Sequence, residues 1–187
     1  MFKEIIKPLV LILGLCPLCS YALSFYVNAN YPNMLLVEDT FEIGDVDLML
    51  LHLSDNKIDT ILFNSEGGNM VESLAIGSLI RDYKLNTIVP INAYCYSACT
   101  YAFMGGVERT IDVSAEFAMH RPFFNEEMPG MYNEGYNSGI ITSVLISSYL
   151  IEMGLEPNIA IFHLLSKKLK YFNTSEQKEL NIITARK

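Results

Sequence analysis

Tryptophan is absent, histidine occurs only three times, and basic side chains are few. Thirteen lysines and arginines stand against 21 acidic residues, a formal net charge of −8 over 187 residues. A chain with that balance and few basic clusters is a poor electrostatic partner for nucleic acid or for an anionic membrane surface. Charged types make up only 18% and hydrophobic types 51%, which excludes a disordered chain. Three scattered histidines and the pair Cys95 and Cys99 do not form a four-ligand zinc pattern. Nor is there a phosphate-binding loop, because Gly67-Gly68 is not followed by Gly-Lys-Ser/Thr. Neither ATP binding by this chain nor any cofactor is therefore expected. Internal repeats, low-complexity tracts and linker-like stretches are also missing, so the bulk of the chain reads as one domain.

What is present begins with an apolar start. Lys3 and Lys7 accompany a run from Pro8 to Leu15 of secretory-signal length. Small residues follow at Ser20, Ala22 and Ser24, so cleavage after Ala22 or Ser24 fits the small-x-small rule. Residues 1–24 read as a signal peptide and 25–187 as an exported domain, periplasmic or secreted. The alternative is an uncleaved membrane anchor, since the chain is uncharged from Leu9 to Val27. Pro17 and the polar residues after it make that span a poor one. Leu15 before Cys16 and Leu18 before Cys19 argue against a lipoprotein. Cleavage would leave Cys95 and Cys99 as the only cysteines. Four apart in an oxidising compartment, they are either a disulfide or two buried thiols, and spacing does not choose between them.

Downstream, apolar runs alternate with helical patterns. Strand-like runs fall at 34–37, 60–63, 87–91, 110–113 and 116–119. Helix-like spacing falls at 39–53, 71–83, 98–104, 140–153, 158–169 and 175–180, and a turn is expected at 64–68. This β-α rhythm predicts an α/β fold with a largely parallel sheet covered by helices, in which sites gather at the carboxyl ends of strands.

Three such ends carry unusual residues. Gly67-Gly68 allows close approach of a ligand to the backbone, or simply a tight turn. Ser97 precedes an apolar helix, where it is either a nucleophile or an N-cap. His120 ends a strand-like run just before Arg121-Pro122 and is the natural base for such a serine. His52 and His163 lie on helical stretches and read as structural.

Taken in order, Phe63-Asn-Ser-Glu-Gly-Gly68, Cys95-Tyr-Ser97-Ala-Cys-Thr and Phe117-Ala-Met-His120-Arg-Pro122 resemble the Clp-type serine peptidases of the ClpP/crotonase fold. They are most similar to small exported Clp-protease-like proteins with a Cys-x-Ser-Ala-Cys stretch. The resemblance spans about residues 34–184. It implies repeated ββα units, Ser97 as nucleophile, His120 as general base, and the N–H groups of Gly68 and Ala98 as an oxyanion hole. It also implies a peptide or protein substrate and a homo-oligomer. For the latter, the 140–153 helix is apolar on more than one side. The family's third, acidic member is missing where Lys168-Leu-Lys170-Tyr-Phe-Asn173 stands. Asn173 is the expected partner of the His120 ring, with a backbone carbonyl or water as the alternatives. That departure keeps open a weak or inactive binding or assembly module, and the same Ser-His pair also suits an esterase or thioesterase. Acyl-CoA hydration, known on this fold, would need no Ser-His pair.

Overall fold

The computed structural model describes residues 22–55, 57–122 and 132–184. Residues 1–21, with Cys16 and Cys19, lie outside them, so the expected signal or anchor does too. Two antiparallel edge pairs frame a parallel centre. β1 (Ser24–Val27) runs antiparallel to β2 (Met34–Phe41), and β2 is parallel to β3 (Thr60–Gly68). β3 then serves two neighbours. Its first half pairs with β4 (Asn86–Val89), which pairs with β6 (Arg109–Ile111), while Ser65 pairs with Cys95 of β5 (Tyr94–Tyr96). From β5 the sheet continues to β7 (Glu116–Met119) and ends on β8 (Lys170–Tyr171), antiparallel to β7.

Helices α1 (Asp45–Asp55) and α2 (Met70–Asp82) follow β2 and β3. Strands β4 and β5, and then β6 and β7, are successive in the chain and each couple is followed by a helix, α3 (Ala98–Met104) and α4 (Tyr132–Glu152), which is the expected repeated ββα order. Helices α5 (Ile159–Leu165) and α6 (Thr174–Glu179) flank β8.

Burial explains why these segments order. Leu35, Val37, Ile61, Phe63, Val89, Cys95 and Phe117 alternate inward along their strands and are fully or almost fully buried. All seven residues of α3 are buried, so this helix is the core's axis. It comes close to α2 because both are small at the contact. A β-carbon on Gly105 would stand 2.0 Å from the Gly77 carbonyl oxygen.

Several stretches differ from the sequence expectation, which held no strand at 24–27 or 94–96 and began the fourth helix at 140, not 132. The Asn64–Gly68 segment is strand, not turn, because β2 and β5 pair with it on its two sides and override glycine's weak strand preference. Residues 39–41 continue β2 before helix α1 begins at Asp45. The helix expected over 158–169 stops at Leu165, and 170–171 pairs with β7, whose outer edge would otherwise lack partners. Among the described residues no helix is long and apolar enough to cross a membrane.

Candidate active site

A cavity of about 230 Å³ opens where β3, β5 and β7 end, lined by Gly68, Met70, Ser97, Ala98, Tyr101, His120 and Pro122. Each polar member arrives there for a local reason. Ser97 joins β5 to α3 with φ 52° and ψ −122°, a conformation that costs a residue bearing a β-carbon about 1–3 kcal/mol. It occupies the N-cap position of α3 yet makes no side-chain capping bond, so the bland reading of this serine as a cap does not describe it. The elbow is held by its backbone. Ser97 N–H donates to the Ala118 carbonyl at 2.9 Å, and the Ser97 carbonyl accepts from the Thr100 N–H at 3.1 Å and hydroxyl at 2.6 Å.

Gly67 fits beneath this elbow because it has no β-carbon. One built there would lie 2.7 Å from the Tyr96 carbonyl oxygen and 2.8 Å from Ala98 N, and its φ of +105° favours glycine independently. The same strand is pinned by the buried Ser65, whose hydroxyl donates to the Asp39 carbonyl and accepts the Gly67 N–H at 3.1 Å. Asp39 sits at a shift in the β2–β3 register. Gly68, the residue after Gly67, lines the same cavity as the serine.

His120 follows the last residue of β7. Its Nδ1 lies 2.7 Å from the Arg121 carbonyl oxygen. A carbonyl only accepts, so Nδ1 carries the proton there and Nε2 is the basic nitrogen. The Arg121 N–H donates in turn to the Ser166 carbonyl at 2.8 Å, and β8 braces β7 through Ala118↔Tyr171 and Met119↔Lys170.

Of the ring partners expected for His120, then, a backbone carbonyl holds Nδ1. Asn173 is engaged elsewhere. Its side-chain oxygen accepts the Glu176 N–H at 3.0 Å, and the Glu176 carboxylate accepts the Asn173 N–H at 3.0 Å, a capping box starting α6. Glu176 also bonds Lys170 at 2.6 Å, and that bond with the Asn173 N–H keeps its carboxyl below the usual range. Asn is a favoured residue at an N-cap, which explains why this residue type stands there.

Cys95 and Cys99 are joined by a disulfide that brackets Ser97, with both residues buried. His52 stacks on Phe25 and lies away from the cavity wall. His163 is fully buried on α5 and its Nδ1 lies 2.8 Å from the Tyr101 hydroxyl. Burial lowers its pKa to about 4 and pushes the Tyr101 phenol above its ordinary range.

The sequence reading missed Tyr101, Met70 and Pro122 as wall residues. Tyr101 was within reach of it, since a residue four after Ser97 on a helix shares its face. Ser65 carried no such signal.

No known family's model matches the sequence, and no curated protein matches it. Solved structures do match. One, a point mutant of ClpP1 from Listeria monocytogenes, aligns with a TM-score of 0.63, covering 81% of this chain and 89% of that chain at 16% identity. The fold is ClpP-like. A ClpP-like sheet with Gly68, Ser97, Ala98 and His120 on one cavity wall is an arrangement suited to acyl transfer.

Proposed function

We propose that this chain is an exported serine hydrolase of the Clp type that cleaves peptide or protein amides through an acyl-enzyme on Ser97. One observation carries the proposal: Ser97 stands on a strained, uncapped elbow in the same cavity as His120. Strain of that kind gathers at functional sites.

In the proposed reaction, Ser97 Oγ attacks the scissile carbonyl and His120 Nε2 takes its proton. The Arg121 carbonyl keeps the other ring nitrogen protonated, which selects the tautomer a base needs. The N–H groups of Gly68 and Ala98 receive the developing oxyanion, a role in which losing one donor typically costs ~10²–10³ in rate. Imidazolium then returns the proton to the leaving amine, and water releases the acyl group by the same steps. At Nδ1 a carbonyl dipole stands where a full triad has a carboxylate, and a carbonyl stabilises imidazolium less.

Met70, Tyr101 and Pro122 make the rest of the wall, and they suit an apolar side chain on the acyl side of the cut bond. Export is proposed with cleavage after Ala22, the one of the two candidate positions that keeps Leu23. Leu23 is buried in the core, and the Ser24 hydroxyl donates to Asp39 at 2.8 Å. A homo-oligomer is part of the same reading. Ile146, Leu150 and Met153 of the α4 region face the core, while Ile140, Ile141, Val144, Leu145 and Ile151 are exposed in the single chain.

A fluorophosphonate probe tests the central claim. Labelling at Ser97 is expected, with loss in Ser97→Ala and a drop of at least ~10³-fold in His120→Ala. Labelling that His120→Ala leaves unchanged would overturn the base assignment. A folded protein that neither labels nor turns over any peptide or ester would leave the binding-module reading in its place.

A further inference from the structure

The disulfide raises a question that its effect on stability does not answer. Loop-closure entropy grows with the logarithm of loop length, so a bond between residues four apart constrains the unfolded chain less than one closing a long loop. Both cysteines are fully buried, so the bond is not a surface staple either. Its position is more telling. Cys95 is the middle residue of β5, registered against Ser65 on one side and Phe117 on the other, and Cys99 lies in the first turn of α3. The bond thus ties the strand entering the elbow to the helix leaving it, across a Cα–Cα distance of 5.3 Å. Ser97 is the apex of the ring so closed.

Strained backbone persists only where its surroundings over-determine it. The Ser97 N–H and carbonyl are both bonded, to Ala118 and Thr100. The Ser97 carbonyl lies in the same peptide plane as the Ala98 N–H, so the two bonds from Thr100 orient that donor from its own peptide. Those bonds come from the helix alone, and the covalent ring through Cys95 and Cys99 ties that helix to the strand entering the elbow.

We infer that the Cys95–Cys99 disulfide is a positioning clamp on the Ser97–Ala98 peptide, and that its reduction loosens the elbow without unfolding the domain. This rests on reading Ser97 as the nucleophile. Reduction by a dithiol breaks the S–S bond. Two electrons and two protons convert the sulfurs to thiols, and the reductant closes to its own disulfide. Because both cysteines are buried, the dithiol reaches the bond only through local opening, and Cys95 and Cys99 act as positioning residues.

The test uses the full chain with Cys16 and Cys19 replaced by Ala, in three forms: oxidised, carrying Cys95→Ala with Cys99→Ala, and reduced in place by dithiothreitol and then reoxidised. Amide exchange at residues 97–100 is expected to rise at least tenfold in the variant and the reduced form. Exchange along β3 and β4 stays unchanged. The fluorophosphonate labelling rate and kcat on a peptide ester are expected to fall at least tenfold, with KM within about twofold, and reoxidation restores both. Unchanged exchange at 97–100 overturns the clamp, as does faster exchange everywhere, which would make the bond a general staple. Local loosening in a protein whose oxidised form never labels keeps the clamp and removes the nucleophile. Labelling equal in all three forms keeps the nucleophile and removes the clamp. If the double variant does not fold, the reduced and reoxidised forms that keep Cys95 and Cys99 give the same readings.

Discussion

Ser97, at the start of the seven-residue helix α3, makes no capping bond, whereas at the other end of that helix the Met104 carbonyl takes bonds from two arginines. Arg109 is buried and spreads its guanidinium over the carbonyls of Met104, Gly106, Met153, Asn181 and Ile182 at 2.7–3.3 Å. Arg81 reaches the first three of these from α2 at 3.1–3.3 Å. Helix C-terminal carbonyls carry partial negative charge, so they can hold these cations, which have no carboxylate partner among the described residues. Burial and then the Arg81 charge lower Arg109 to about 10, which leaves it protonated at neutral pH. One end of the helix spends its polar groups on cohesion, and the other holds a strained serine at a cavity. A small α/β domain can carry strain at one end of a core helix because the other end is over-bonded.

The contrast breaks most severely at the arginine end. Arg109→Met orphans the buried carbonyl of Ile182 and the partly buried one of Asn181, and is expected to cost about 4 kcal/mol. Urea unfolding measures this, and a loss under ~1 kcal/mol would mean the carbonyls find water. Between the two ends sits Tyr101, tied to His163. Because the folded pKa of His163 is lowered to about 4 from an ordinary 6.5, the unfolded chain binds a proton in that window that the folded chain does not. Stability is then full above pH 6.5 and falls by about 3 kcal/mol as pH drops toward 4. His163→Gln should flatten that part of the profile, and an unchanged slope would assign it to other groups.

At the serine end, Gly67→Ala drives a methyl into the elbow at a φ that favours glycine. About 2 kcal/mol of stability and about 10²-fold in labelling rate are expected to go. Retained labelling would show that the elbow tolerates displacement. The mildest change is Asn173→Ala, which removes a cap worth about 1 kcal/mol and should leave turnover per folded molecule unchanged. Lost turnover at unchanged stability would return Asn173 to the ring of His120.

What the sequence determined by itself is the local chemistry. Strand and helix periods placed β7, α2 and α3 to within a residue or two, because a half-buried period of 2 and an amphipathic period of 3.6 are written in the side chains. Gly67-Gly68, Ser97 and His120 stood out by type and by their positions after strands. Tertiary structure alone decided the rest. Whether Gly67-Gly68 turns or extends depends on strands far away in sequence that pair with it, and the same holds for β8 against β7. Whether Ser97 caps or stands free of its helix depends on an elbow packed over Gly67 and bonded to Ala118. The nitrogen of His120 that keeps its proton depends on where the Arg121 carbonyl turns. These are directional contacts of backbone groups, and every residue carries the same backbone groups, so the identity of the side chains does not encode them.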